Sequence, residues 1–193
     1  MENRERILSS ALELFYERGY DAVGIQEICQ QSGITKPTLY HYFGSKYGLL
    51  ETLLDNCFSE FLHQVAEAAK FRDSVETSLN ALATTIIDFA NVHHREYMLL
   101  MSMNYSAREN EVYRAVSPYV TRLYNQTVGL FEQAAPLLGN MNGRQKQFAI
   151  GFLGLINHYI LFLGYHGEKD QMPEVSEETK HSLVHQFMHG IYS

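Results

Sequence analysis

The chain has 193 residues, of which 46% are hydrophobic and 19% are charged. A chain of this length and composition buries a core without disulfides or metal ions, which excludes a disordered protein and a disulfide-stapled miniprotein. The formal net charge of −7 argues against a nucleic-acid partner, because phosphate binding depends on Lys and Arg.

The distribution of charge matters more than its sum. Residues 1–50 carry five basic and six acidic side chains, whereas residues 51–193 carry ten and sixteen. The stretch from Ser32 to Leu50 has no acidic residue and contains Lys36 and Lys46. A local positive surface is therefore compatible with an acidic protein.

The two cysteines and the N-terminal segment indicate the compartment. Cys29 and Cys57 lie in apolar helical patterns without Cys-x-x-Cys spacing, so we expect small buried side chains and not a redox or metal site. The first ten residues are charged where a signal peptide needs an apolar core. We therefore expect a cytoplasmic protein.

The N-terminal elements predict two short helices joined by a tight turn. Apolar residues recur at spacings of three and four almost throughout the chain, which favours an all-α fold. After a first helix that stops at Gly19, a second is predicted over Ile25 to Gln31, with Gly24 as its N-cap. Gly33 permits a left-handed turn, and a third helix follows over residues 35–42 with Thr35 as cap. This arrangement is a helix-turn-helix.

A long fourth helix is predicted to begin after Ser45 and to connect two domains. We expect about nine helices in all, the later ones over residues 74–92, 96–105, 109–138, 144–165 and 177–192. The sequence Ser117-Pro118 predicts an interruption in the helix over 109–138.

The segment from Gly33 to Lys46, GITKPTLYHYFGSK, strongly resembles the helix-turn-helix of the tetracycline-repressor (TetR) family. Gly19-Tyr20, Ile25 and Ile28 also fit that family's pattern, so the resemblance covers residues 4 to about 54. It implies a DNA-binding domain over residues 1–46 and a ligand-binding and dimerisation domain over residues 47–193. The implied function is a ligand-responsive transcriptional regulator, most often a repressor.

The third helix has two faces whatever its family. Leu39 and Phe43 are four residues apart and point inward, whereas Lys36, Pro37, Tyr40 and His41 lie around the outer face. Aromatic rings and a base on an exposed surface suit a major groove. The alternative is a structural helical hairpin, which would bury that outer face.

The resemblance implies DNA contacts by a defined set of residues, with Tyr42 and Lys46 on phosphates and with Lys36 and Pro37 reading bases. The set is Gln26, Thr35, Lys36, Pro37, Thr38, Tyr40, His41, Tyr42 and Lys46. Two positions depart from the family pattern. Gly24 stands where Ser or Thr is usual, and Tyr47-Gly48 stands where an acidic residue is frequent.

The helix over 144–165 is apolar on nearly all sides, which raises the alternative of a membrane span. Asn157 and His158 in its middle favour a helix buried between its own core and a second subunit. The resemblance implies a homodimer through helices 144–165 and 177–192. A dimer of reading helices predicts an inverted-repeat operator.

A soft, aromatic-rich set in the middle helices predicts a pocket for a small, largely apolar inducer of unknown identity, although most of these side chains are expected to be ordinary core. Asn157 and His158 are the predicted polar contacts. The predicted ligand residues are Phe61, Phe89, Met101, Tyr105, Tyr124, Phe152, Asn157 and His158.

Other functions find less support in the sequence. His181, His185 and His189 repeat every four residues, but no Cys or carboxylate supports them, so we expect solvent or interface histidines and no metal or cofactor. No hydrolase, metalloprotease, phosphate-loop or dinucleotide motif is present, so we expect no enzyme. The alternative is a helical small-molecule-binding or membrane-associated adaptor without DNA readout.

Overall fold

The computed structural model describes residues 2–139, 141–167 and 172–190. Within these ranges the chain has nine α-helices, one 3-10 helix and no strand, as the sequence predicts. The α-helices are α1 (Asn3–Arg18), α2 (Ile25–Ser32), α3 (Lys36–Phe43), α4 (Lys46–Ala68), α5 (Val75–Val92), α6 (His94–Asn104), α7 (Glu111–Ala134), α8 (Gln145–His166) and α9 (Glu177–His189).

The chain forms two compact units, each built from two stretches of sequence. The first joins Met1–Ser59 to Arg95–Pro118, and the second joins Glu60–His94 to Tyr119–Ser193, in each case as far as the residues are described. Both α4 and α7 contribute residues to each unit. The domain boundary predicted after residue 46 stays a prediction.

Helix starts follow the local chemistry of the chain. Ser74 precedes α5 and accepts a hydrogen bond from the Thr77 amide over 3.0 Å. Ser45 precedes α4 and accepts from the Gly48 amide over 2.9 Å. These caps satisfy backbone donors that a helix leaves unpaired in its first turn, so they fix where each helix begins.

The interruption predicted at Ser117-Pro118 is wrong, because α7 runs through Pro118 without a break. Proline lacks the N–H that would donate to the carbonyl of Arg114, four residues earlier. Both of these residues are exposed, so water can satisfy that carbonyl at the surface. The cost of the missing bond is therefore smaller than in a buried helix.

Helix α8 buries one face and leaves the other exposed. The buried face carries Ala149, Phe152, Leu153, Ile156 and Ile160. On the exposed side, Ile150, Phe162 and Tyr165 keep 62%, 56% and 67% of their surface in contact with solvent. The prediction of burial against the helix's own core is confirmed. Among the described residues α8 is also the one helix long and apolar enough to cross a membrane.

Helix α9 is fixed to α5 by a buried charge. The Lys180 side chain is 6% exposed and pairs with the carboxylates of Asp88 on α5 and Glu177 one turn earlier. Burial alone would lower the pKa of Lys180, but the hydrogen bonds to Asp88 and Glu177 outweigh it and raise the pKa. The prediction for α9 extended to residue 192, and its last residues lie outside the described part of the chain.

Candidate nucleic-acid interface

The turn between α2 and α3 depends on one glycine. Gly33 adopts φ +66° and ψ 31°, and its amide donates to the carbonyls of Cys29 and Gln30. A Cβ at Gly33 would also lie 2.7 Å from Nη2 of Arg6 on α1. The left-handed backbone therefore favours glycine, whereas the Arg6 guanidinium is the end of a flexible side chain that can move aside.

Helix α3 separates its side chains into a buried and a bare face. Leu39 is fully buried and Phe43 is 8% exposed, whereas Tyr40 and Tyr42 are 46% and 43% exposed. Lys36 and His41 also lie in solvent. The outward display predicted from the sequence is confirmed, and the alternative of a packing hairpin is not supported.

The remaining predicted contact residues surround that bare face. Gln26, Thr35 and Pro37 are exposed, and Thr38 is half-buried. Thr35 occupies the N-cap position of α3, but its side chain caps no amide. Its hydroxyl lies 2.9 Å from the Thr38 hydroxyl. Since a hydroxyl has one proton and two lone pairs, each can contact a phosphate or a base edge in addition to its threonine partner.

Lys46, the second predicted phosphate contact, lies against the loop between α1 and α2. Its Nζ donates to the carbonyl oxygen of Tyr20 over 2.6 Å and lies 4.0 Å from the centre of the Tyr20 ring. Burial lowers the pKa of Lys46, and the charges of Asp21 and Glu111 oppose that change. The loop between α1 and α2 therefore holds this ammonium in the present structure.

Gly48 explains one departure from the expected family pattern. A Cβ at Gly48 would lie 2.2 Å from the carbonyl oxygen of Phe43, at the end of α3. No side chain fits this distance, so α4 can start this close to α3 only with glycine here. The sequence in the first turn of α4 is therefore set by packing.

Two surface contacts brace α2 against α1. Arg18 forms an ion pair with Glu27. Gln31 Nε2 donates to Glu13 Oε2 over 2.6 Å. Each links residues on different helices, so together they orient α2 and, through Gly33, the bare face of α3.

Residues 7–53, which include the whole of this interface from α2 to the start of α4, match the family described as bacterial regulatory proteins, tetR family. Over these residues the chain is similar to the TetR family. It is 31% identical over 104 residues to the HTH-type transcriptional activator FasR of Mycolicibacterium smegmatis. That match covers 54% of this chain but only 48% of FasR.

Two further transcriptional regulators extend the comparison. The HTH-type negative transcriptional regulator IcaR of the biofilm operon icaADBC, from Staphylococcus epidermidis, is 22% identical over 129 residues, which cover 67% of this chain and 69% of IcaR. The crystal structure of the transcriptional regulator FadR from Bacillus subtilis in complex with stearoyl-CoA matches with a TM-score of 0.75 and 17% identity, over 97% of this chain and 99% of that one. The FadR match shows that the fold is shared.

The predicted ligand residues are divided between the two units. Met101 and Tyr105 belong to the first unit, and the other six belong to the second. Within the second unit, Phe61 and Phe89 stack with ring centres 4.1 Å apart. Phe152 packs instead against Phe131 and Phe187.

The environments of the other predicted ligand residues differ. Met101 is buried, Tyr124 and Asn157 are half-buried, and Tyr105 and His158 are exposed. The two exposed side chains are therefore poor candidates for an enclosed pocket within a single chain. Their assignment as ligand contacts stays a prediction.

Buried amide oxygens in the second unit were not identified from the sequence. Asn80 Oδ1, Asn91 Oδ1 and Gln126 Oε1 are buried and accept no hydrogen bond. A buried acceptor without a donor costs about 1–3 kcal/mol, so a donor that reached one of these atoms would be bound favourably. The sequence contains no signal for them, because a polar residue on a helix is ordinarily exposed.

The repeated histidines of α9 lie on its solvent side. His181, His185 and His189 are all exposed, and the last two rings have centres 4.5 Å apart. The cysteines are free, and burial raises the pKa of Cys57 to about 12, so that thiol stays protonated at neutral pH. An unreactive Cys57 agrees with its predicted role as a small packing residue.

Proposed function

We propose that this protein is a cytoplasmic transcriptional regulator that reads DNA with α3 and leaves it when a small, largely apolar molecule binds the C-terminal domain. The observation that carries the proposal is the bare outer face of α3, where Lys36, Tyr40 and Tyr42 remain in solvent above a buried Leu39. In this proposal residues 1–46 form the DNA-binding domain, and the contacts are those predicted from the sequence.

A homodimer through α8 and α9 completes the proposal. Burying a large apolar side chain contributes about 1.5–3 kcal/mol, and the outer side of α8 carries three exposed ones, Ile150, Phe162 and Tyr165. A second copy would cover them and would place two α3 helices on successive turns of one DNA face, about 34–36 Å apart. The operator is then an inverted repeat.

We also propose that the protein acts as a repressor. A dimer that covers an operator within a promoter blocks polymerase sterically, without any further contact. FasR is named as an activator and IcaR as a negative regulator, so a reporter assay decides the sign. We expect expression from the operator to rise when the gene for this protein is deleted.

The test of DNA binding is a mobility-shift assay, titrated with salt, on the DNA upstream of the protein's own gene. We expect Lys36→Ala and Tyr42→Ala each to weaken binding by about 5- to 150-fold, since each contact contributes roughly 1–3 kcal/mol. Lys70→Ala is the matched control, because Lys70 is exposed and pairs with Glu67 three residues earlier. Equal binding by all four proteins would contradict the proposal.

The proposed ligand is an apolar chain with a polar head group. Stearoyl-CoA is the probe, because FadR from Bacillus subtilis binds it. We expect stearoyl-CoA to raise the melting temperature and to release DNA, while coenzyme A alone does neither. Release follows if the ligand binds the DNA-free conformation more tightly. Gln126→Leu, which removes a buried acceptor, tests whether the head group uses it. No effect of stearoyl-CoA on either readout would contradict this choice of ligand.

A further inference from the structure

A polar network in the first unit joins the loop between α1 and α2 to the start of α7. Tyr20 Oη donates to Glu111 Oε1 over 2.7 Å, and Asn110 Nδ2 donates to Asp21 Oδ2 over 3.1 Å. Both contacts connect residues about ninety positions apart in sequence, so they are tertiary. We call Tyr20, Asp21, Lys46 and Glu111 the latch.

Within the latch, Tyr20 makes two contacts with the Lys46 side chain. Its ammonium donates to the Tyr20 carbonyl and lies over the Tyr20 ring, which is an attractive cation–π arrangement. Glu111 fixes the far end of the same ring through the phenol. The charges of Glu111 and Asp21 also favour the protonated amine, so both attract the ammonium towards the loop.

We infer that Glu111 is a positioning residue for DNA binding: through Tyr20 it holds the Lys46 ammonium at the loop and restrains it from an operator phosphate. This inference rests on the proposed function, in which Lys46 is a phosphate contact at the start of α4. To reach a phosphate oxygen the ammonium must give up the Tyr20 carbonyl. The attraction of the Glu111 carboxylate raises the free-energy cost of moving the ammonium from that carbonyl to a phosphate.

Glu111 belongs to a helix that both units share. It is the first residue of α7, whose residues 111–118 belong to the first unit and whose residues 119–134 belong to the second. The contact between Glu111 and Tyr20 lies within the first unit.

A double-mutant cycle on the duplex used for the shift assay tests the inference. We expect Glu111→Gln to tighten binding about threefold, the size of a partly exposed charge interaction, when Lys46 is present. In the Lys46→Ala background the same change should leave affinity unchanged. Glu109→Gln removes the same charge two residues earlier, from a side chain that is 94% exposed, and should have no effect that depends on Lys46.

Tyr20→Phe provides a second variant that keeps the ring and every charge. It removes only the hydroxyl that donates to Glu111. We expect this variant to bind DNA more tightly than wild type when Lys46 is present, and equally in the Lys46→Ala background. Thermal unfolding of each variant distinguishes a positioning role from a structural one. If the role were only structural, the substitutions would lower the melting temperature and weaken DNA binding whether or not Lys46 is present.

The outcomes are distinct. If the wild-type protein binds DNA and the effects of Glu111→Gln and Lys46→Ala on the binding free energy are additive, the positioning role is overturned. The proposed function is then unaffected. Weaker binding by Glu111→Gln that depends on Lys46 would also overturn it. Wild-type protein that binds no duplex at low salt would overturn both.

Discussion

The outer faces of α3 and α8 are both left uncovered by the single chain, but their chemistry is opposite. The face of α3 presents Lys36, Tyr40 and Tyr42 in a stretch without acidic residues. The face of α8 presents Ile150, Phe162 and Tyr165. Exposure alone therefore does not identify a partner, whereas exposure combined with charge distinguishes a polyanion from an apolar surface.

The two faces also differ in what supports them. Helix α3 has eight residues and is oriented by the Gly33 turn and by α1 and α2. Helix α8 has twenty-two residues, and its residues 149–160 pack on its own core. A short helix on a braced platform suits reading of a groove, and a long flat helix suits association with a second copy.

The largest effect is expected from a charge on the α8 face. Ile150→Asp should convert the dimer to a folded monomer, because an unpaired carboxylate buried in an interface costs several kcal/mol per copy. Sedimentation equilibrium measures the mass, and operator binding should fall with it. A dimer as stable as wild type would show that α8 is not the interface.

The matched control for that change is Thr121→Asp, which places the same charge at an exposed position on α7. We expect this variant to remain dimeric. Circular dichroism should show the same helix content for both variants, since Ile150 is 62% exposed in the single chain.

Substitutions at two neighbouring residues of α3, Leu39 and Tyr40, should differ in their effect on the free energy of unfolding. Leu39→Ala removes a fully buried side chain and should lower the free energy of unfolding by about 2–5 kcal/mol. Tyr40→Ala should change it by less than about 0.5 kcal/mol, because Tyr40 is exposed. Chemical denaturation measures both. If Tyr40→Ala were as destabilising as Leu39→Ala, the outer face of α3 would be a packing surface.

A smaller effect is expected at the ion pair between α5 and α9. Lys180→Met should be near neutral for stability, because an apolar side chain of similar length replaces a buried charge. Asp88→Asn should destabilise by about 1–3 kcal/mol, since the buried ammonium loses a partner. Urea unfolding distinguishes them, and a strongly destabilised Lys180→Met would contradict this assignment.

The smallest effect concerns acid. The hydrogen bond from Lys180 lowers the pKa of Glu177 in the folded protein. The stability it provides is present above the unfolded pKa of about 4.3 and is lost as the pH falls through the folded value. Lys180→Met removes this contribution, so its stability should fall less steeply with acid than that of wild type. If the free energy of unfolding of both proteins fell equally with decreasing pH, the pairing of Lys180 with Glu177 would be contradicted.

Local signals in the sequence were sufficient for the helices and for the two faces of α3. Gly24, Ser45 and Ser74 mark helix starts because capping involves residues within one turn, and Leu39 and Phe43 identify the buried side because helical spacing is regular. Pro118 was misread, because its cost depends on whether the orphaned carbonyl is exposed.

The features that the sequence did not reveal are tertiary. Lys46 was predicted as a phosphate contact, and nothing in the sequence indicated that its ammonium would bind the backbone of Tyr20, twenty-six residues earlier. Glu111 and Asp88 are separated by still more residues of sequence from Tyr20 and Lys180, the residues they bind. No periodicity or cap encodes such contacts, since they depend on how the helices pack.

Photocrosslinking tests the central claim most directly, with a duplex carrying 5-iodouracil at each thymine in turn. We expect crosslinked peptides from Lys36–Phe43, with Tyr40 and Tyr42 as the modified residues, and none from α8. Crosslinks confined to α8 or α9, or none at salt concentrations where the complex forms, would contradict the assignment of α3 as the reading helix.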